Sequence, residues 1–463
     1  MAQSTNRLSR SLGLWAIVGL GLGYMTPTVI FDTFGIVSDE TGGVVPTAYV
    51  LALVAMMFTA ISYGRMTRIF PSAGSAYTYT SETMSPNLGF LIGWSSLLDY
   101  LLLPLVNALI IRSYMNAFFP DVPEWLWVVV YVFGITTMCL LSMTNTSRVN
   151  GLLVVFEVVL IVVFLFLAGR ALTSGGGNGT LFSTDPFWHE GVHLGLVITG
   201  ATIVCFSFIG FDAITMYTEE AKSPNTVPKA IVLALVIGGS IFFVAAWFTQ
   251  SLFPTMSGFS EDALQNSALP EIAFKVGGDL FKILLTSAAF AATVASSLAS
   301  HASVSRLLFV MGRNGKGPLS RQFAFIHPTW RTPAKSVVFV GAVSLLAIPF
   351  NLDFIAAMIN FGALVAFTFV NLTVVVYFAY RKRLVSSMGQ VFTNIVLPML
   401  GVAATVVLWV NLSPDSLHYG LVWFGIGFAT LLVITRFLRR PLTITMDEEE
   451  IAEVRGEVEA LED

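Results

Sequence analysis

Long apolar stretches follow one another along the whole of this 463-residue chain. The hydrocarbon core of a bilayer is about 30 Å thick, so a crossing helix needs about 20 mostly apolar residues. Hydrophobic residues make up 55% of the sequence and charged residues 11%, outside the range of soluble globular proteins. The sequence therefore predicts an all-α polytopic membrane protein with twelve transmembrane helices. The predicted spans are residues 14–37, 44–66, 88–117, 125–143, 150–170, 194–218, 229–252, 280–311, 336–351, 353–379, 391–411 and 416–438.

The distribution of Lys and Arg predicts how these spans are oriented, because short cytoplasmic loops carry an excess of positive charge. If the amino terminus is cytoplasmic, 20 of the 24 Lys and Arg residues fall on the cytoplasmic side and four fall outside. Those four are Arg112, Arg170, Lys275 and Lys282. We therefore expect both termini in the cytoplasm, with a tail at residues 1–13 and an acidic tail at 439–463.

Four acidic residues lie inside predicted spans: Asp32, Asp99, Glu157 and Asp212. A charge at the centre of a transmembrane helix costs roughly 2.5 to 3.5 kcal/mol on insertion scales, so such residues indicate a functional site. Structural alternatives exist for single members. Asp32 can be protonated or cap a helix end. Asp99 can take part in local hydrogen bonding where Pro104 leaves a backbone carbonyl free, and Glu157 can form a hydrogen bond between helices. Together the four acids predict a site with excess negative charge.

Two of these acids occur in similar settings. Asp32 follows Phe31 in span 1, after Pro27, and Asp212 follows Gly210-Phe211 in span 6. In transporters built from inverted repeats, interrupted helices at corresponding positions of the two halves indicate the binding site. Spans 1 and 6 are five spans apart, which is the offset that a repeat of five helices requires.

The residues before Asp32 favour a cationic ligand. An interrupted helix that binds an anion offers free backbone N–H groups, whereas here Tyr24-Met25-Thr26-Pro27 is bulky and Pro27 lacks a donor. Aromatic faces attract ammonium groups, although packing between helices is the alternative role for each ring. The candidate aromatic residues are Tyr24, Phe31, Phe34, Trp94, Tyr100, Phe206, Phe208, Phe211 and Tyr217.

Longer motifs contain these residues. They are PTVIFDTFGIVS at 27–38, FPSAGSAYTY at 70–79, GWSSLLDY at 93–100, TGATIVCFSFIGFDA at 199–213, LASHASVSRLL at 298–308 and INFGALVAFTFVNL at 359–372. With them the chain resembles the amino acid-polyamine-organocation superfamily, and within it the bacterial putrescine importer family. The resemblance runs from Leu12 to about Arg440.

This resemblance implies a leucine-transporter-like fold in which helices 1 and 6 are unwound at the substrate. Two inverted repeats of five helices would occupy residues 14–170 and 194–379, and two further helices residues 391–438. It also implies proton-coupled uptake of a small diamine through a bacterial inner membrane, without cofactor, metal or nucleic acid. The Glu219-Glu220 pair matches the inner end of helix 6 in the superfamily. We interpret the pair as an inner gate, with a solvated loop as the alternative.

From these observations we predict a secondary active transporter. Asp32 and Asp212, or one of them with Asp99, would accept the two ammonium groups of putrescine or a similar diamine. Tyr24, Phe31, Tyr100, Phe208 and Phe211 would then contact the substrate. Some proton-coupled relatives place a lysine in helix 5 where this chain offers Glu157, so the coupling residue is not carried over from them. Glu157 is the predicted proton carrier, with Asp99 as the second candidate. The alternatives are an amino acid or ethanolamine permease and a membrane sensor that does not transport. An enzyme is disfavoured, because the five His residues show no metal-ligand spacing.

Overall fold

A computed structural model describes residues 12–71, 74–119, 121–141, 143–180, 182–260, 264, 267–314, 322–330, 332–350, 352–412 and 414–435. Regular structure in these ranges is helical, apart from one isolated bridge between Leu12 and Ala221. The predicted tails at 1–13 and 439–463 lie outside the described residues except for positions 12 and 13. The α-helices are α1 (Leu14–Met25), α2 (Val29–Thr41), α3 (Val45–Ile69), α4 (Ser75–Thr83), α5 (Pro86–Phe118), α6 (Glu124–Leu141), α7 (Met143–Thr173), α8 (Leu194–Phe208), α9 (Thr226–Leu252), α10 (Leu269–Asn314), α11 (Ala334–Ser344), α12 (Leu352–Val374), α13 (Met388–Val391), α14 (Leu397–Val410) and α15 (Pro414–Ile434).

Shorter helical pieces extend several of these. A 3₁₀ helix, Ala213–Glu220, follows α8, and another, Leu345–Ala347, continues α11. Segments of π-helix, Val375–Arg381 and Phe392–Val396, continue α12 and join α13 to α14.

Ten helices among the described residues are long and apolar enough to cross a membrane, or eleven when the bent pair α1 and α2 counts as one span. The prediction of an all-α polytopic membrane protein is therefore confirmed. The predicted span 336–351 corresponds to a shorter apolar helix, Ala334–Ala347. Pro349 follows two residues later and has no backbone N–H with which to continue the helix.

The first span is interrupted at residues 26–28. Thr26 has a left-handed backbone, with φ at 50°, and Pro27 cannot donate to the preceding turn. The chain restarts as α2, and the axes of α1 and α2 differ by 44°. The interruption leaves the amino end of α2 inside the molecule.

The sixth span is also interrupted. Helix α8 ends at Phe208. Gly210 has a φ of 124°, a backbone conformation that residues with a side chain rarely adopt. A Cβ added to Gly210 would lie 2.9 Å from the Cβ of Tyr24. The two interruptions therefore touch, and Gly is required where they do.

Three helix pairs form much of the interior: α3 with α9, α5 with α12, and α7 with α10. Small residues permit close approach in these pairs, as at Gly362, whose added Cβ would lie 3.0 Å from that of Leu98. Outward-facing positions keep large apolar side chains, for example Phe133, which is 74% exposed, and Leu152, which is 72% exposed. This apolar exterior suits contact with lipid chains.

Candidate substrate site

Asp212 lies in the interruption of the sixth span and is fully buried. It directly precedes the 3₁₀ helix, and the first backbone N–H groups of a helix have no acceptor within that helix. Its Oδ1 accepts the N–H of Gly210 at 3.2 Å, and its Oδ2 accepts the hydroxyl of Tyr100. The Tyr100 hydroxyl also lies 3.4 Å from Ser75 Oγ. The chain thus holds this carboxylate between an unwound backbone and α5.

Asp99 precedes Tyr100 on α5 and is 1% exposed. It is near enough to Asp212 for the two carboxyl groups to interact electrostatically. Its Oδ1 has no hydrogen-bond partner among the described residues, and the ion pairs found in that part of the chain include neither aspartate. The structure therefore brings the side chains of Asp99, Tyr100 and Asp212 together.

Aromatic rings stand beside this carboxyl pair. The Phe211 ring lies 5.3 Å from that of Phe367 and 6.0 Å from that of Tyr63, and the Tyr63 ring lies 6.2 Å from that of Tyr79. Sequence reasoning identified Phe211 but missed the other three. Tyr79 and Phe367 belong to the motifs at 70–79 and 359–372, and those motifs were the signal that could have identified them.

The other predicted aromatic residues have different surroundings. Tyr24 contacts Gly210, its carbonyl accepts the hydroxyl of Ser296 at 3.1 Å, and its own hydroxyl has no partner among the described residues. Phe31 packs edge-on against Phe164 at 4.6 Å. Phe208 packs between two other buried rings, those of Tyr49 and Phe242. The rings of Phe31 and Phe208 are therefore packed in helix interfaces.

Asp32 lies in the first turn of α2 and has its own partners. Its Oδ1 accepts the hydroxyls of Tyr114 at 2.7 Å and of Ser267 at 2.6 Å. Tyr114 comes fourteen residues after Tyr100 on α5, which corresponds to about 21 Å along a helix that rises 1.5 Å per residue. Asp32 and Asp212 are therefore bonded at different levels of α5.

Glu157 on α7 is fully buried and reaches the interruption in the first span. Its Oε1 accepts the backbone N–H of Thr28 at 2.5 Å, and its Oε2 has no partner among the described residues. Thr28 directly precedes α2, whose first N–H groups have no intrahelical acceptor. Glu157 thus caps the amino end of the second half of span 1.

Glu219 and Glu220 end the 3₁₀ helix, next to the amino-terminal segment. Glu220 pairs with Arg306 of α10 at 2.6 Å, and the Arg306 guanidinium lies 4.7 Å from the centre of the Tyr217 ring. Glu219 lies 4.0 Å from Arg313. The backbone carbonyl of Glu220 also accepts the N–H of Leu12 at 3.0 Å. These contacts join span 6, α10 and the segment before α1, and sequence reasoning gave no role to Arg306.

No three His, Cys, Asp or Glu side chains in the described ranges are grouped closely enough to hold a metal ion. The side chains around the Asp99–Asp212 pair offer carboxyl, phenol and aromatic groups. Such groups can bind an organic cation and exchange protons.

Comparison with known proteins assigns the chain to a family. Residues 12–434 match the family model described as amino acid permease. The low-affinity putrescine importer PlaP of Escherichia coli (strain K12) is 46% identical over 94% of this chain and 96% of its own length. Two proteins of Bacillus subtilis (strain 168) are more distant. The branched-chain amino acid permease BcaP is 26% identical over 93% of this chain and 94% of its own, and the methylthioribose transporter is 25% identical over 94% and 95%.

These matches confirm the resemblance based on the motifs between residues 27 and 372, including the likeness to bacterial putrescine importers. The matched proteins are named as permeases, importers and transporters, which confirms the expectation of a transporter rather than an enzyme. The chain belongs to the amino acid permease family of the amino acid-polyamine-organocation superfamily.

Proposed function

We propose that this protein imports putrescine or a similar small diamine by alternating access, together with protons. The observation that carries the proposal is the buried pair of Asp99 and Asp212, which has no cationic partner among the described residues. Two neighbouring carboxyl groups in a dry site are both ionised only when cations offset the repulsion between them, and otherwise one of the two holds a proton. A diamine brings one positive charge for each carboxylate. The 46% identity with a protein named a putrescine importer supports the same substrate.

We assign one ammonium group to Asp212 and the other to Asp99. Tyr100 would orient Asp212 through its hydroxyl, and Phe211 would cover the apolar stem of the substrate. Tyr24 would close the site at the point where the two interruptions touch. Phe31 and Phe208 would support the site from their packed positions.

Asp32 is the weaker candidate for one end of the diamine. A four-carbon diamine has five bonds between its nitrogens, and at about 1.5 Å per bond it spans at most about 7.5 Å. Asp32 and Asp212 are bonded to tyrosines that are about 21 Å apart along α5. The contacts therefore favour the pairing of Asp212 with Asp99 over the pairing with Asp32.

Glu157 is our candidate for the proton carrier, with Asp99 second. In its ionised form Glu157 accepts the Thr28 N–H and complements the positive end of the α2 dipole. Protonation would weaken both interactions and loosen the half-helix that lies next to the substrate. Proton binding and movement of α2 are linked by this contact.

The packing supports the leucine-transporter-like fold with two inverted repeats, residues 14–170 and 194–379, followed by 391–438. In a five-plus-five repeat, span 3 (α5) corresponds to span 8 (α10), and span 5 (α7) corresponds to span 10 (α12). The pair α5 and α12 therefore corresponds to the pair α10 and α7. Both pairs pack extensively. Spans 2 and 7 (α3 and α9), which would be exchanged by the same operation, also pack together. This is the packing pattern that the repeat predicts.

We further propose that the Glu219 and Glu220 region forms the inner gate, closed by the Glu220–Arg306 pair. The gate would then lie at the cytoplasmic face of a bacterial inner membrane, with both termini on that side.

The proposed function is tested by uptake of putrescine into proteoliposomes containing Asp212→Asn. Removing one charge from a buried, hydrogen-bonded ion pair typically costs 2 to 5 kcal/mol, so we expect apparent affinity to fall by at least about 30-fold. Asp279→Asn makes the same chemical change at an exposed position and should leave uptake unchanged. Unaltered affinity and uptake in Asp212→Asn would refute the assignment.

A panel of competing solutes tests the substrate class. An amino acid permease would use free backbone N–H groups at the interruption for the substrate carboxylate. Here the Thr28 N–H is already bonded to Glu157. We therefore expect putrescine and cadaverine to compete, and leucine and ethanolamine not to compete. Competition by leucine would favour the amino acid permease.

A further inference from the structure

A groove opens on the membrane-facing side between α3 and α9, at the end of the bundle where α3 finishes and α9 begins. Its volume is about 510 Å³. Gly64 and Pro228 both line the groove, and a Cβ added to Gly64 would lie 3.5 Å from Pro228. The groove therefore lies where the two helices approach each other closely.

Three cations line this groove: Arg65, Arg68 and Lys229. Arg65 is held in place, since it donates to the Thr393 carbonyl and to Asn394 Oδ1, both at 2.5 Å. The side chains of Arg68 and Lys229 are exposed, and neither takes part in an ion pair found in the described part of the chain. None of the described residues that line the groove is acidic. It therefore presents uncompensated positive charge.

The other walls of the groove are apolar, and they continue along both helices. Ile61 lines the groove on α3 and shares a helix face with Val54, seven residues earlier, which is 50% exposed. On α9, Val232 lines the groove and shares a face with Val236, which is 41% exposed. An apolar track thus runs from the three cations toward the middle of the membrane.

We propose that this groove binds an anionic phospholipid, with the phosphate at Arg68 and Lys229 and an acyl chain along Ile61 and Val232. Basic pockets between transmembrane helices suit such headgroups. A free anion would use the cations but not the apolar track, and a neutral lipid would use only the track. In the proposed orientation the groove faces the cytoplasmic leaflet. The site lies apart from the carboxyl pair and does not depend on the transported substrate.

The experiment is a titration of the full-length protein in detergent with dioleoyl phosphatidylglycerol, read by native mass spectrometry. We expect Arg68→Gln with Lys229→Gln to weaken binding of one lipid by at least tenfold, and the charge-conserving exchange Arg68→Lys with Lys229→Arg to weaken it less than threefold. Lys222→Gln with Lys382→Gln is the matched control, since both residues are cations outside the groove. The control should bind as the unmodified protein does.

Three outcomes would overturn the proposal. The first is unchanged binding in the Arg68 and Lys229 variant, and the second is an equal loss in the control, which would indicate only the general charge of this face. The third is equal competition by glycerophosphoglycerol or inorganic phosphate, which would indicate a site for a free anion. If the double variant does not fold, the single variants Arg68→Gln and Lys229→Gln provide the same comparison.

Discussion

The Glu157 carboxylate accepts a hydrogen bond from the backbone N–H of Thr28. In an unbroken helix this N–H would bond to a carbonyl of the preceding turn. The interruption in span 1 exposes the Thr28 N–H, and a buried acid from α7 accepts it. A single side chain therefore connects α7 to the interruption of span 1.

We predict that Glu157→Gln loses stimulation of putrescine uptake by an inward pH gradient but retains putrescine exchange. The amide carbonyl can still accept the Thr28 N–H, whereas the titratable proton is gone. Uptake into proteoliposomes with imposed pH gradients provides the measurement, and Glu190→Gln, at an exposed position, is the control. An unaltered pH dependence would remove Glu157 as the proton carrier.

Asp32 joins α2 to α5 and to the segment before α10, because Tyr114 and Ser267 both donate to the same carboxylate oxygen. We predict that Asp32→Asn slows uptake while the dissociation constant for putrescine changes by less than about threefold. Asp212→Asn should do the reverse and weaken binding first. Equilibrium binding of labelled putrescine, measured beside uptake, separates the two effects. A loss of affinity in Asp32→Asn as large as that in Asp212→Asn would make Asp32 a ligand.

At the scale of the helices, the contact between the two interruptions depends on one glycine, Gly210. We predict that Gly210→Ala lowers both thermal stability and uptake, since φ at 124° costs roughly 1 to 3 kcal/mol with a side chain and the new methyl group would meet Tyr24. Gly134→Ala is the control, because Gly134 lies in α6 with nothing within 4 Å of an added Cβ. Thermal unfolding in detergent and uptake provide the readouts. A stable, active Gly210→Ala would mean that the contact between the interruptions is dispensable.

The proposed inner gate is closed by the Glu220–Arg306 pair, which joins the 3₁₀ helix Ala213–Glu220 to α10. Breaking a buried pair leaves an unpaired charge, at a cost of about 3 to 5 kcal/mol, so we predict that Arg306→Met opens this side. A Ser300→Cys reporter on α10 should then react with a cytoplasmic thiol reagent at least tenfold faster. Both native cysteines are buried and give a low background.

Arg313→Gln is the matched control for that labelling. The Arg313 contact with Glu219 is longer, at 4.0 Å, and its side chain is 46% exposed, so its loss should change labelling less than about twofold. Equal labelling in the two variants would show that the Glu220–Arg306 pair does not close the inner side.

At the scale of the whole molecule, the charge asymmetry between the two faces predicts the topology. We expect Thr180→Cys to react with an impermeant maleimide in intact cells, and Ser223→Cys to react only after the membrane is permeabilised. Thr180 follows the Gly-rich loop of the face with four cations, and Ser223 lies on the face with 20. Both positions are exposed. The opposite pattern would reverse the proposed orientation.

The helical membrane architecture and the buried acids were predictable because each depends on local sequence. A run of apolar residues predicts a span wherever it folds, and Asp99 or Asp212 carries the cost of a buried charge whatever surrounds it. The same use of local sequence placed the end of the helix at 336–351 too late, because the apolar content of a stretch does not show where a helix ends before a proline such as Pro349.

The partners of the acids were not predictable, because they depend on which helices meet. Ser267 is 235 residues from Asp32, and Thr28 is 129 residues from Glu157. Nothing in either stretch alone indicates the contact. The separation of Asp32 from Asp212 along α5 likewise follows from tertiary packing, although their similar sequence settings suggested a common site.

The proposed occupation of the Asp99–Asp212 pair also determines where membrane voltage acts. A dication held by two carboxylates carries little net charge, so the potential does little work while the loaded site turns inward. The empty site turns outward carrying whatever negative charge remains, and each elementary charge crossing 100 mV contributes about 2.3 kcal/mol. A negative interior pushes that charge outward. The resting potential of the cell would therefore accelerate the return of the empty protein more than the passage of its cargo.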